Sequence, residues 1–284
     1  GYDTYVSSLD VRILGCAGGS MVRISENDVI DVGPRSAHIA GCEYACFTNP
    51  EEIEDPKVEL ISPKSGDPND YVVLLLKNGK RITITNTDAA NVLGLVDEKF
   101  FAHGNIESAR KAMKPVADRL GITIESLAEK ILNKDYEKVS ACINLLATKY
   151  ELNHDVVKLV GCGGGAAALV PYCAKKMNLP YTIPQNAEVI SSIGVALAMV
   201  RDVIERVIPN PTQDDIKDMK KEAIDACINS GAAADTIEVH IEIDSSSSKV
   251  RAIATGSTEV KTTDLRKDCT EVEANTLAKD DFGP

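Results

Sequence analysis

The sequence predicts an α/β protein with a small C-terminal α+β appendage, on three observations. Short β-rich runs fill the chain before residue 86. Apolar residues then recur with a helical period from about 104 to 150. A buried strand, a glycine loop and a helix follow one another in "VVKLVGCGGGAAALVPYCAKKMNL".

In chain order, "VRIL" (11–14), "MVRI" (21–24), "NDVIDV" (27–32) and "RSAHIAG" (35–41) read as strands, with "CAGGS", "SEND" and "GP" as turns. The stretch 48–70 carries four prolines and many acids and reads as a surface excursion. "YVVLLL" and "RITIT" flank Asn78-Gly79 and predict a hairpin, because Asn-Gly accepts the positive φ angles of a type I′ turn. Ala109, Met113, Val116 and Leu120 share one helical face. After Gly121, the set Leu127, Ile131, Leu132, Val139, Ile143 and Leu146 does the same. Pro171 predicts a kink or a late start in the helix after the glycine loop. Asn186 reads as the cap of a long buried helix over 187–207, stopped by "PNP". A helix over 212–230 and a strand–linker–strand, "TIEVHIEI", "SSSS", "KVRAIA", form the appendage. The expected divisions are 1–208, with a helical insertion at about 104–150, then 209–260, and a polar tail at 261–284.

Composition narrows the function classes. The 284 residues are 44% hydrophobic with no Trp and four Phe, so the core must be aliphatic. A net charge of −12 with scattered Lys and Arg excludes a nucleic-acid surface, which needs clustered cations. The longest apolar stretch, Ala187–Val200, is too short and too polar to span a membrane. Eight cysteines lie mostly among small apolar residues, where free Cys behaves as a buried hydrophobe, and they point to a reduced, cytoplasmic protein. His38, Cys42 and Cys46 recur every fourth residue, but in a strand that spacing spreads too far for zinc and no fourth ligand is evident.

Three constellations can carry chemistry. In Asp31-Val-Gly33-Pro-Arg35-Ser36, a strand-end carboxylate can hold Mg²⁺ while Arg35, Ser36 and turn amides meet phosphate. The same residues also make an ordinary hairpin in which Asp31 satisfies turn amides. Gly163, Gly164 and Gly165 can admit a ligand close to the backbone at a helix N-terminus, or only let strand and helix pack tightly. Asp88, where strand turns to helix, is a helix cap or else a base or metal ligand.

Taken in order, "VIDVGPRSAHIAG", "ITNTDAANVLGLVDEKFF" and "LVGCGGGAAALVPYCAKKMNLPYTIPQNAEVISSIGVALAMV" resemble the hydantoinase A/oxoprolinase family over roughly residues 10–205. The resemblance implies a ribonuclease-H-like, actin-like ATPase domain, and a C-terminal portion of a longer subunit with a nucleotide in a cleft. It implies ATP-dependent hydrolysis of cyclic amides such as hydantoin or 5-oxoproline, with ATP and Mg²⁺ as cofactors. A B subunit and a homo-oligomer are the implied partners. Asp31, Gly33 and Ser36 match the phosphate motif, with Pro34 and Arg35 standing where the family keeps Gly and Thr. Asp88 and Asn91 match the Thr-Asp-Ala-Asn element, Asn91 as a substrate contact, and Gly163–Gly165 fall near the adenosine. Asp31 and Asp88 are then the expected catalytic carboxylates, with Asp31 also the Mg²⁺ ligand. A nucleotide-dependent activator or assembly subunit without its own hydrolytic chemistry is the alternative.

Overall fold

A computed structural model describes residues 9–196, 198–244 and 246–258, with positions 270, 272 and 276. It is a mixed α/β structure whose contacts fall into two units, 1–191 and 192–284.

The first unit is built on a six-stranded sheet. Strand β1 (Ser20–Ile24) pairs antiparallel with β2 (Val29–Ser36), placing Val22 opposite Val32. Strand β3 (Glu43–Tyr44) is short; β4 (Lys57–Ile61), β5 (Tyr71–Leu75) and β6 (Arg81–Thr83) follow. Strand β5 pairs antiparallel with β1, β4 and β6, and β3 pairs parallel with β6. The unbroken apolar run of β5 follows from burial on both faces. Val72 and Leu74 enter the main core, whereas Tyr71 and Val73 join Met21, Ala37 and Cys42 on the other side.

Helices cover the main-core face: α1 (Asn86–Val92), α2 (Ile106–Leu120), α3 (Ile124–Lys149) and α4 (Ala166–Met177). Asn105 and Thr123 cap α2 and α3 through their side chains, and Gly121 ends α2 at φ 66°. The predicted faces pack as expected at Ala109, Met113, Val116, Leu127, Ile131 and Leu132, all buried. Strand β7 (Leu159–Val160), α4 and β8 (Tyr181–Thr182) form a strand–helix–strand unit with parallel strands.

Several expectations are corrected. "VRIL" forms no strand and its apolar side chains lie exposed. "VIDVGPRSAHIAG" is not a hairpin: β2 runs straight through Gly33-Pro34, and Ala37–Ala40 is a 3₁₀ turn. Strand β2 is a sheet edge, where the missing N–H of Pro34 costs no ladder bond. The excursion at 48–70 contains β4. The β5–β6 turn closes through Gly79 N–H to the Leu76 carbonyl, with Gly79 alone at positive φ, so it is a three-residue turn ending in a glycine bulge and not type I′. Strand β7 is only two residues long and Val160 is exposed. Helix α4 continues through Pro171.

The long helix predicted over 187–207 is a 3₁₀ turn, a short α5 (Ile190–Ala196) and a strand, β9 (Met199–Val207). Val189 and Val195 are exposed, so this stretch is not a buried helix. The second unit is a three-stranded antiparallel sheet of β9, β10 (Glu238–Asp244) and β11 (Lys249–Ser257) beside α6 (Gln213–Asn229). Its own core joins Met219, Ala223 and Cys227 to Val250, Ala252 and Ala254. Because β9 pairs along its whole length with β11, the division falls after 191 and not after 208. The expected tail at 261–284 lies outside the described residues at all but three positions.

Candidate functional site

The site is built around the first turn of α1, every residue of which is buried. Thr85 is extended and starts the helix. The Asp88 carboxylate accepts hydrogen bonds from Thr85 N–H (2.8 Å), Thr85 Oγ1–H (2.7 Å) and the Cys46 N–H (2.6 Å). Burial raises the Asp88 carboxyl above its ordinary value, and these hydrogen bonds pull against the rise. Thr87 donates both its N–H and its Oγ1–H to the Gly18 carbonyl, each at 3.0 Å. Asn86 Nδ2 donates to the Ala17 carbonyl at 2.9 Å. The start of α1 thus fixes the turn Ala17–Gly19 ahead of β1.

A second glycine turn lies against the first. A Cβ on Gly165 would sit 2.7 Å from the Gly18 nitrogen, and one on Gly18 would sit 2.9 Å from the Gly165 Cα. Only residues without Cβ allow that approach. Gly19 is covered by the Tyr44 hydroxyl, which a Cβ there would strike. Between the turns opens a cavity of about 200 Å³, walled by the glycine backbones, Thr87 and the rings of Tyr44, Phe47 and Phe101. Tyr44 and Phe47 stack at 5.5 Å. Burial raises the Tyr44 phenol, which keeps it a neutral hydroxyl. The N–H groups of Gly19, Gly164 and Gly165 donate to no described residue. Gly165 is the N-cap of α4, so the helix dipole adds positive potential there.

The residues predicted as a site are divided by the structure. Gly164 and Gly165 line the cavity; Gly163, at φ 92°, shapes the loop and donates its N–H to the Ala187 carbonyl at 2.6 Å. Asn91 is a strut: it donates to the Thr87 and Ala102 carbonyls and accepts from Gly104 N–H, which ties α1 to the segment bearing Phe101. Asp31 lies on β2, where Lys138 Nζ approaches Oδ1 at 2.5 Å and Arg23 Nη1 approaches Oδ2 at 3.2 Å. Arg35 forms a two-bond fork with Asp67, both bonds at 2.8 Å, which raises the guanidinium and lowers the carboxyl. Gly33, at φ 75°, lies under the Gly15 carbonyl, and Ser36 closes β2; neither lines the cavity. Among the described residues no three His, Cys, Asp or Glu side chains group as a metal site, and the seven described cysteines are free thiols.

Sequence reasoning missed Gly18, Gly19, Tyr44, Phe47 and Phe101. "CAGGS" carried the signal, since a double glycine beside a strand also marks a close backbone approach.

A family model described as hydantoinase/oxoprolinase matches residues 1–204. The chain belongs to the hydantoinase/oxoprolinase family. Among solved structures, this hydantoinase/oxoprolinase chain resembles acetone carboxylase in its nucleotide-free form at 14% identity and a TM-score of 0.53, over 90% of this chain and 42% of that one. It also aligns with an ATP-dependent caprolactamase from Pseudomonas jessenii at 17% identity and a TM-score of 0.43, over 89% of this chain and 42% of that one. The first likeness is one of fold, and the chain spans less than half the length of either protein. Comparison with curated protein sequences finds no match. No helix among the described residues is long and apolar enough to cross a membrane.

Proposed function

We propose that this chain is part of an ATP-dependent hydrolase of cyclic amides, of hydantoin or 5-oxoproline type, and that the glycine cleft is its wall for one end of the nucleotide. The observation that carries the reading is the contact of two glycine turns, Gly18–Gly19 and Gly164–Gly165, at the N-terminus of α4. Unspent amides and the helix end suit phosphate oxygens, and the faces of Tyr44, Phe47 and Phe101 suit a planar ring. At about 200 Å³ the cavity fits part of a nucleotide and not the whole. Magnesium would arrive with the triphosphate, and bound ATP would supply the phosphoryl group that activates the amide oxygen.

The antiparallel strands β1, β2, β4, β5 and β6, followed by the parallel unit β7–α4–β8, support a ribonuclease-H-like half. A small cyclic amide as substrate, a B-type subunit, a homo-oligomeric state and a cytoplasmic setting belong to the same proposal. The second reading, a nucleotide-dependent activator, is favoured by one observation: Asp31 and Asp88 are both engaged by structural partners.

Calorimetric titration of the complete subunit that contains this chain with MgATP, followed by ATP turnover with and without hydantoin or 5-oxoproline, tests both. Substrate-stimulated turnover supports the hydrolase. Binding without stimulation supports the activator. No MgATP binding by the complete subunit overturns both.

A further inference from the structure

Asn86, the first residue of α1, and Asp135, midway along α3, are fully buried and meet behind the glycine turn. Asn86 Nδ2 donates one hydrogen to the Ala17 carbonyl and the other to Asp135 Oδ2. The opposite oxygens, Asn86 Oδ1 and Asp135 Oδ1, are buried without a hydrogen-bond partner among the described residues. An ionised Asp135 would leave two buried acceptors without a donor, which is costly. A carboxylic acid and a primary amide are complementary instead: paired edge to edge, they make one N–H···O and one O–H···O bond in a single ring. The N–H half of that ring is present, and the two unpartnered oxygens are the atoms of the other half.

We propose that Asp135 is a neutral acid closing a two-bond ring with the Asn86 amide, and that this ring positions Ala17 and the glycine turn for ligand binding. Its effect on affinity rests on the nucleotide reading above; the ring itself does not. The groups facing Asp135 are few. Lys138 on its own helix and the Asn86 amide favour ionisation, and Asp31 on β2 opposes it. Cys16 before the turn and Cys173 on α4 are pushed up to about 12 and about 11 by burial, so both are neutral thiols. Lys138 is itself engaged by Asp31. Desolvation outweighs the rest and pushes the Asp135 carboxyl up to about 7. The ring is therefore closed below neutrality and opens above it.

The test is an NMR titration of the full chain carrying ¹³C-labelled aspartate, with the Asp135 carboxyl assigned through bonds and the Gly18 and Gly19 amides followed alongside. Asp135 is expected to titrate near neutrality, with both glycine amides shifting on the same curve. In Asp135→Asn, an amide–amide ring needs no proton, so the glycine amides should stay at their low-pH positions throughout. MgATP affinity should fall on the order of tenfold from pH 6 to 8 in the wild type and stay flat in Asp135→Asn. Titration of Asp135 in the ordinary carboxylate range, or glycine amides that ignore its curve, overturns the proposal on the wild type alone. A pH profile of MgATP binding unmoved by Asp135→Asn overturns the positioning role. If MgATP binds the complete subunit at no pH while the carboxyl and glycine curves coincide, the ring stands and the nucleotide reading fails.

Discussion

Replacing Gly165 with Ala tests whether the two glycine turns form one surface. The new methyl would lie 2.7 Å from the Gly18 nitrogen and 2.9 Å from its Cα. Ordinary contacts of this kind need about 3.5 Å or more, so the turns must part by several tenths of an ångström. Gly18 cannot give way easily, because its carbonyl accepts both Thr87 donors at 3.0 Å. Backbone strain does not contribute: Gly165 sits at φ −88° and ψ −1°, which alanine adopts freely. Overpacking costs about 1–3 kcal/mol, and the gain from Gly→Ala in the unfolded chain offsets about 0.4–1 kcal/mol. A net loss of about 1–2 kcal/mol is expected, with MgATP affinity down by roughly tenfold. Gly164→Ala is the control for stability, because its methyl meets only the Phe101 ring, at 3.2 Å, and that side chain can turn away. Urea unfolding followed by circular dichroism at a common m-value gives the stability difference, and calorimetry gives the affinity. Equal stability of the two variants would refute the backbone-contact argument.

Asn91→Ala leaves the Ala102 carbonyl and the Gly104 N–H without their partner and takes a second donor from the Thr87 carbonyl. Urea unfolding should show a loss of about 2–4 kcal/mol. Asp31→Ala removes ion pairs whose side chains are partly solvated, so the loss should not exceed about 1 kcal/mol, and MgATP titration well below neutrality, where the Asp135 ring is closed, should be unchanged. A Mg²⁺-dependent loss of binding in that variant would instead restore the phosphate role suggested by the sequence. Asp135 carries the pH dependence of stability together with Asp88, whose carboxyl burial also raises. The folded value of Asp135 is raised from 3.8 to about 7, so the folded state holds its proton longer than the unfolded chain does. The wild type should therefore lose stability as pH rises from about 4 to about 7, by on the order of 4 kcal/mol from Asp135. Asp135→Asn should show a shallower slope, with the contribution of Asp88 remaining, and be the more stable protein above neutrality, as measured by urea unfolding from pH 4 to 8.

What the sequence made legible was local. The faces of α2 and α3 and the caps at Asn105, Thr123 and Gly121 depend on neighbours within a turn or two, and they were readable. Strand β2 was misread because Gly-Pro signals a turn in isolation. Only the fold puts Pro34 on a sheet edge and Gly33 under the Gly15 carbonyl. Val200 and Ile204 are four residues apart, a spacing that fits one face of a helix and one face of a strand alike. Pairing with β11, some fifty residues on, decides for the strand. At the site, Asp31 and Asp88 looked chemically available because Lys138 and Cys46, which engage them, are remote in sequence. The double glycine of "CAGGS" read as punctuation because its partner turn lies far along the chain.

The same pairings bear on where chemistry takes place. A carboxylate that accepts two backbone amides and a hydroxyl, as Asp88 does, organises a helix start, and moving its proton would disturb all three donors. Asp31 fastens β2 to α3 through Lys138, which also donates to the Val32 carbonyl. The cavity wall supplies amides, the Thr87 and Tyr44 hydroxyls and aromatic faces, and among the described residues it presents no carboxylate or cation. Such a wall can orient a ligand and exclude water from one side of it, but it offers no proton acceptor of suitable strength to a reacting water. In the hydrolase reading, the charged groups of the reaction must therefore come from beyond this wall, and the residues described here bind and orient the nucleotide.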